Sequence, residues 1–312
     1  MVGARSKPHP QEYGRKEQGI RRVLCSFALT KEGGLMSIYI TGDTHGEIDI
    51  HKLSTKVFPA QKEMSSEDYL IVTGDFGFPC CASDIQENSK AHKTYRYWLK
   101  WLKSKPFTIL FVDGNHEHHD FWDAQPVREW HGGMVHIHPE ADNIVHLIRG
   151  EIYTIDGETV FAFGGASSHD IEPQYDEFGR CVWKGRTEGE NWFQRENASE
   201  AEKNRAREYL EQHGNQVDIV ITHTPPKCVC DEILKAVGET PREDPTAEFL
   251  NEIQETVDYG LWVCGHIHKD TIDASRGIAV VYDTIAEVNA LKQGVYTAHE
   301  HWASAQKGAY NG

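Results

Sequence analysis

No stretch of this chain approaches the ~20 consecutive apolar residues that a membrane-spanning helix requires, so no membrane partner is expected. Cationic charge is scarce as well. The 32 Lys and Arg face 48 Asp and Glu, for a formal charge of −16. Broad contact with nucleic-acid phosphates needs clustered Lys and Arg, so a nucleic-acid partner is disfavoured. The same acidity repels a phosphate substrate at long range, unless bound cations reverse the sign locally. Its plain consequence is solubility. The seven cysteines (Cys25, Cys80, Cys81, Cys181, Cys228, Cys230 and Cys264) lack both an even count and a regular spacing. That argues against a disulfide scaffold and for a reducing cytoplasm. Cys228 and Cys230 form a lone C-x-C with no second pair, which we take as incidental. Internal repeats and linkers are also missing. The 312 residues, 39% hydrophobic and 10% aromatic, suffice for a large globular core.

The first 35 residues stand apart. They carry Arg5, Lys7, Arg15, Lys16, Arg21, Arg22 and Lys31 with little apolar periodicity, and Val23 to Leu29 is too short for a signal peptide. Residues 1–35 are expected to be a basic extension, disordered or not part of the native product. Lys31-Glu32-Gly33-Gly34 can be encoded by codons resembling a bacterial ribosome-binding site, just upstream of Met36. The expectation is therefore a domain over 37–298 and a polar tail over 299–312.

Within that domain, Ile38–Ile40, Tyr69–Val72 and Phe107–Val112 read as buried strands. Ala91, Tyr95, Trp98, Leu99 and Leu102 follow helical spacing over 86–103, an aromatic stripe for core packing. From about 144 the pattern turns to hairpins: strands at 144–148, 152–155 and 159–163, with a tight turn at Asp156-Gly157. Residues 166–198 are too long for a simple connection and suggest a functional loop or flap. Ser199 and Glu202 form a capping box opening a helix to about Gln212. Strands follow at 217–222, 261–264, 278–282 and 294–297, with helices at 231–237 and 245–256. Strand–helix alternation followed by meander strands predicts an α/β fold with two sheets inside and helices outside.

Chemistry gathers at strand ends. Gly42-Asp43-Thr44-His45-Gly46, Gly74-Asp75, Gly114-Asn115-His116-Glu117, His223 and Gly265-His266-Ile267-His268 each follow an apolar run. Carboxylate, amide and imidazole groups suit divalent cations, and a rigid sheet can hold them at ligand geometry. Any of these alone would be an ordinary turn, cap or core residue. Together they point to a two-metal hydrolase site. Some of the dense His118, His119, His131, His136, His138 and His146 could line the site, but surface or packing roles suit them better, and none is assigned a part in the chemistry.

This order of motifs resembles the calcineurin-like metallophosphoesterase family over roughly residues 37–285, in a small bacterial or phage-type form. The resemblance implies a four-layer αββα sandwich of two mixed β-sheets flanked by helices. It also implies two divalent metals (Mn, Fe, Zn, Co or Mg), one held by Asp43, His45 and His268 and the other by Asn115, His223 and His266, with Asp75 bridging. His116 then faces the substrate as general acid while a metal-activated hydroxide attacks phosphorus.

The protein Ser/Thr phosphatase branch is disfavoured. Phe78 stands where its orienting Asp would be, and Pro79 and Asp113 stand where its phosphate-binding Arg residues would be. Phosphate contacts must then come from the metals or the long loop, where Arg180, Lys184, Arg186 and Arg195 are available. Arg186, Asp170 and Trp192 are the expected substrate contacts. Trp183, Trp192 and Phe193 could stack on a flat group or cap the core beneath the loop. The expected substrate is a small phosphomonoester or phosphodiester, nucleotides included. A nuclease would need a basic track that is missing. A non-catalytic scaffold or binding module would be expected to have lost ligands that are present here.

Overall fold

Period-two alternation inside short, wholly apolar strands dictates the layering. In Tyr69–Val72 all four residues are buried: Tyr69 and Ile71 face one layer, Leu70 and Val72 the opposite one. Strands buried on both faces belong in the middle of a layered α/β structure. The computed structural model describes residues 36–295. The expected extension over 1–35 and the tail over 299–312 lie outside those residues.

Fifteen strands are present among the described residues. They are β1 (Ile38–Thr41), β2 (Tyr69–Val72), β3 (Thr108–Phe111), β4 (Val127–Trp130), β5 (Gly133–His138), β6 (Ala141–Leu147), β7 (Glu151–Ile155), β8 (Glu158–Phe163), β9 (Gln174–Tyr175), β10 (Cys181–Trp183), β11 (Gln216–Thr222), β12 (Asp258–Cys264), β13 (Thr271–Asp273), β14 (Ile278–Val280) and β15 (Ile285–Glu287). One sheet runs β15-β1-β2-β3-β6-β5-β4 and the other β13-β14-β12-β11-β8-β7, while β9 and β10 form a small separate hairpin. Both sheets are mixed. β1, β2, β3 and β6 are parallel neighbours, as are β14, β12, β11 and β8.

The helices include α1 (Ala82–Ile85), α2 (Lys90–Lys103), α3 (His119–Asp123), α4 (Glu200–Gln212), α5 (Lys227–Ala236) and α6 (Pro245–Thr256). Between the sheets lie Ile40, Ile71, Leu110 and Val145 from one and Val160, Ile219, Leu261 and Ala279 from the other. Outside the first sheet, Tyr95, Leu99 and Leu102 of α2 cover Leu70, Val72, Ile109 and Phe111. Outside the second, Ala206, Leu210, Phe249, Leu250 and Ile253 of α4 and α6 cover Phe161, Val220 and Trp262. The result is the expected α/β fold, a sandwich of two mixed sheets flanked by helices.

Several boundaries differ from the sequence expectations. The helix expected from 86 begins at Lys90, because Ser89 takes the cap and accepts from His92 N at 2.8 Å. Hairpin pairing begins at β4 rather than near 144, since His131-Gly132 already turns the chain between β4 and β5. α5 starts at Lys227, directly after Pro226. Residues 288–295 are helical, so Gly294 and Val295 do not open a strand. The edge is instead closed by β15, antiparallel to β1. The Ser199–Glu202 capping box forms as expected, with Glu202 accepting from Ser199 N at 2.7 Å.

Candidate metal centre

Parallel strands deliver their carboxyl ends to the same edge of a sheet. β1, β2 and β3 release the Asp43, Asp75 and Asn115 loops side by side, and β11 and β12 release His223 and His266 from the facing sheet. The loops are tied together. Asp75 O accepts from Thr44 N and His45 N at 3.0 and 2.8 Å. Asp75 Oδ1 accepts from His116 N at 2.7 Å, and Asp43 Oδ1 from His266 N at 3.2 Å. Approach is so close that two glycines have no substitute. A Cβ on Gly74 would lie 2.2 Å from His223 Nδ1, and one on Gly114 would lie 2.1 Å from Asp75 Oδ1. His45, Asp75, His266 and His268 hold left-handed backbone, with φ of 45°, 48°, 67° and 51°.

Two groups of side chains meet there. His268 Nε2 is 3.1 Å and His45 Nε2 3.9 Å from Asp43 Oδ2, and the two Nε2 atoms are 3.2 Å apart. Beside them, Asp75 turns Oδ2 to His45 Nε2 at 3.3 Å and Oδ1 to His223 Nε2 at 3.4 Å. His223 Nε2 is also 3.2 Å from Asn115 Oδ1, and its ring packs edge-on against His266 at 4.9 Å. His116 Nε2 lies 4.0 Å from Asp75 Oδ2. All seven expected ligand residues, and His116, therefore come together at one place.

The surroundings set which atoms point inward. His45 Nδ1 donates to Asp49 Oδ2 at 3.2 Å, and His223 Nδ1 donates to Thr73 O at 2.8 Å. Each Nε2 lone pair is thereby presented to the centre, the usual role of outer partners in metal sites. Asn115 Nδ2 donates to Ser168 Oγ at 3.1 Å, which aims its carbonyl oxygen at His223. Ser168 in turn donates to the buried Glu196 at 2.7 Å.

These residues fit divalent cations. Asp43 Oδ2 is buried and has no well-aligned hydrogen-bond donor, with His268 Nε2 its close neighbour at 3.1 Å. Buried acceptors are rarely left so. Ligand atoms of Asp43, His45 and His268, and separately of His45, Asp75 and His116, lie within 4.8 Å of one another. Spacings near 3 Å match the edges of a polyhedron with bonds of ~2.1 Å. Burial of His45 opposes its protonation. The hydrogen bond and charge of Asp75, with the charge of Asp43 and the Asp49 contact, nevertheless push its pKa up to about 9. Asp75 is itself held well below the carboxylate range, since His223, His116 and His45 outweigh its burial. The centre draws in positive charge, and a metal ion would compete with the His45 proton.

Several functional neighbours carried no signal in the sequence. Buried Lys52 donates through Nζ to Asp43 O at 2.6 Å and to Tyr282 O at 2.7 Å. The Tyr282 ring stacks on His268 at 4.6 Å, and its hydroxyl donates to Asp49 Oδ2 at 3.2 Å. Glu117 did lie within a motif. Its carboxylate accepts from Phe76 N and Gly77 N at 2.7 and 3.0 Å and joins two of the loops. Asp113, noted in the sequence only for what it replaces, accepts from buried Arg149 through Nε at 2.8 Å and also through the terminal nitrogen. It also has His146 Nε2 at 3.3 Å and His119 Nδ1 at 3.8 Å.

The long loop reaches the centre through Arg186. Its guanidinium grips Asp170 at 2.6 and 2.7 Å and lies 3.2 and 3.3 Å from the two ring nitrogens of His116. Burial lowers the His116 pKa, Asp75 opposes this and Arg186 adds to it. Trp192 is half-buried beside Glu196. Phe193 is buried and stacks on His118 at 4.9 Å, so it caps the core beneath the loop. Trp183 donates to Asp170 O at 2.6 Å.

None of the curated proteins compared with the chain is significantly similar to it. Among solved structures it is similar to a phosphopantetheinyl hydrolase from Mycobacterium tuberculosis, at 14% identity and a TM-score of 0.41, covering 82% of this chain and 96% of that one. The sequence profile of the calcineurin-like phosphoesterases matches residues 36–270. The chain belongs to that family, whose members are metal-dependent hydrolases of phosphoesters.

Proposed function

We propose that the chain is a dinuclear metallophosphoesterase acting on a small phosphomonoester or phosphodiester. The observation that carries this is Asp75, whose two carboxylate oxygens face separate ligand groups, His45 on one side and His223 with Asn115 on the other. Asp43, His45 and His268 would hold one cation, Asn115, His223 and His266 the other, and Asp75 both.

When bound, such a pair supplies an acidified water and offsets the charge collecting on the phosphoryl oxygens. The protein's own groups do the rest. Asp49 and Thr73 O keep His45 and His223 in the tautomer that offers Nε2 inward. His116, fixed by its own N–H on Asp75, protonates the leaving oxygen. Arg186, locked by Asp170 against His116, binds a phosphoryl oxygen and takes the place of the arginines missing at Pro79 and Asp113. A reducing cytoplasm suits the free thiols, which include Cys80 and Cys81 with sulfurs 3.5 Å apart.

The test is a panel of phosphate esters assayed with Mn, Ni, Co, Mg and Zn, before and after chelation. Hydrolysis should vanish with the metal and return on its addition. Full turnover by protein shown to be metal-free by elemental analysis would end the proposal. His116→Ala should slow esters with poor leaving groups on the order of a hundredfold or more, and p-nitrophenyl esters far less. Equal losses on both would remove His116 from the acid role.

A further inference from the structure

Beside the metal centre a cavity of about 190 Å³ opens, and it begins at His45. The His45 ring is 5.4 Å from that of His116, so the cavity starts where the leaving oxygen of a bound ester would sit. Its walls are largely apolar: Phe78 from the loop after β2, Tyr95 and Trp98 from α2, and Ile48 at the rim. Tyr95 spends its hydroxyl on His138 Nε2 at 2.7 Å, which leaves its ring as bare wall. Ile48 is 69% exposed, an apolar side chain that the protein leaves uncovered.

Size and charge narrow what fits. An apolar cavity of about 150 Å³ takes benzene, so this one has room for a single substituted ring. Away from His45, which opens it onto the metal centre, the charged groups lining it are carboxylates, Glu47 and Asp84, with no Lys or Arg among its lining residues. Asp84 Oδ2 accepts from Cys80 N and Cys81 N at 2.9 and 3.0 Å, which fixes its charge in the wall. An anionic substituent carried past His45 to the Asp84 end of the cavity would meet like charge there.

We propose that this cavity receives the organic group of the ester, so that the enzyme selects phosphoesters of one neutral or cationic ring over those of anionic or ring-free alcohols. The inference rests on the hydrolase reading above, since it assigns the substrate class of that same centre.

The manganese-loaded full chain is tested with phenyl, 4-carboxyphenyl and methyl phosphate, together with Ala91→Phe, which projects a ring into the cavity from α2, and the milder Ala91→Leu. Ala91→Phe should lower the ratio of kcat/KM for phenyl over methyl phosphate about tenfold, with Ala91→Leu in between. The 4-carboxyphenyl ester should be at least tenfold poorer than phenyl. Calorimetry with phenylphosphonate and methylphosphonate, which are not turned over, reads the cavity without catalysis. Phenylphosphonate should bind about tenfold more tightly, and Ala91→Phe should erase the difference. If no ester is hydrolysed but the phosphonates still discriminate, the hydrolase reading fails and the cavity assignment survives. Equal binding of the two phosphonates, or an unchanged ester ratio in folded Ala91→Phe and Ala91→Leu, overturns the cavity assignment.

Discussion

Two buried sites in this molecule are built from the same materials. One surrounds Asp113 with Arg149, His146 and His119; the other gathers Asp43 and Asp75 with His45, His223, His266 and His268. Around Asp113 the protein supplies the counter-charge itself. Arg149, with the hydrogen bond from His146, outweighs burial and holds the Asp113 carboxyl far below its usual range. Burial keeps His119 neutral, its pKa lowered to about 3. At the strand ends Lys52 spends its ammonium on backbone carbonyls, Asp43 Oδ2 has no well-aligned hydrogen-bond donor, and His45 is driven toward protonation. Identical residue types therefore become a structural knot or a cation trap according to whether a guanidinium bonds the buried carboxylate itself, as Arg149 does at Asp113, or is spent elsewhere, as Arg186 is on Asp170.

The largest effect should come from removing the trap's charge. Asp75→Asn should cost on the order of a thousandfold in kcat/KM and weaken both metals together. Full two-metal occupancy by elemental analysis in that variant would contradict the bridging role. The opposite change should turn the knot into a second unbalanced site. Arg149→Met leaves Asp113 buried without its cation and should destabilise the fold by about 3–5 kcal/mol, read as a lowered urea midpoint at pH 7. A loss under about 1 kcal/mol would show that the guanidinium is not what balances Asp113.

Metal should distinguish the two sites further. Manganese at a hundredfold excess over its dissociation constant should stabilise the wild type by about 2.7 kcal/mol. Arg149→Met should gain the same increment and Asp75→Asn much less, as followed by thermal unfolding.

The smallest effect concerns pH. Burial, aided at His136 by the neighbouring His146, lowers the pKa values of His136 and His138 to about 4. In the unfolded chain each titrates near 6.5. Below that value the unfolded state takes up protons that the native state refuses. Stability is therefore complete above pH ~6.5, falls as pH drops toward ~4 and then levels, by on the order of 2 kcal/mol per ring. His138→Gln should flatten part of that slope. An unchanged slope in a folded variant would assign the acid sensitivity elsewhere.

How much of this was legible in the chain follows from the range of the interactions. The ligand loops announce themselves because a strand, a glycine and a polar residue are adjacent in sequence, and the order of five such loops is specific to one family. The Ser199–Glu202 cap was legible for the same local reason. Lys52, Glu196 and Arg149 were not, because each acts on a residue brought near only by the fold. Lys52 and Tyr282, for instance, lie 230 positions apart. Residues 127–130 are mostly exposed, so β4 lacks the apolar signature by which the inner strands were found. Asp113 appeared in the sequence only as a missing arginine, when it is the partner of one that comes 36 positions later.

The left-handed backbone at His45, Asp75, His266 and His268 has one more consequence. An L-residue there sacrifices about 1–2 kcal/mol that glycine would keep. Directed evolution for heat resistance alone would drift toward glycine at these four peptides and discard the donors. Thermal robustness and turnover should therefore pull in opposite directions at four adjacent hinges of one rim, and selection for both at once should find its gains elsewhere in the sandwich.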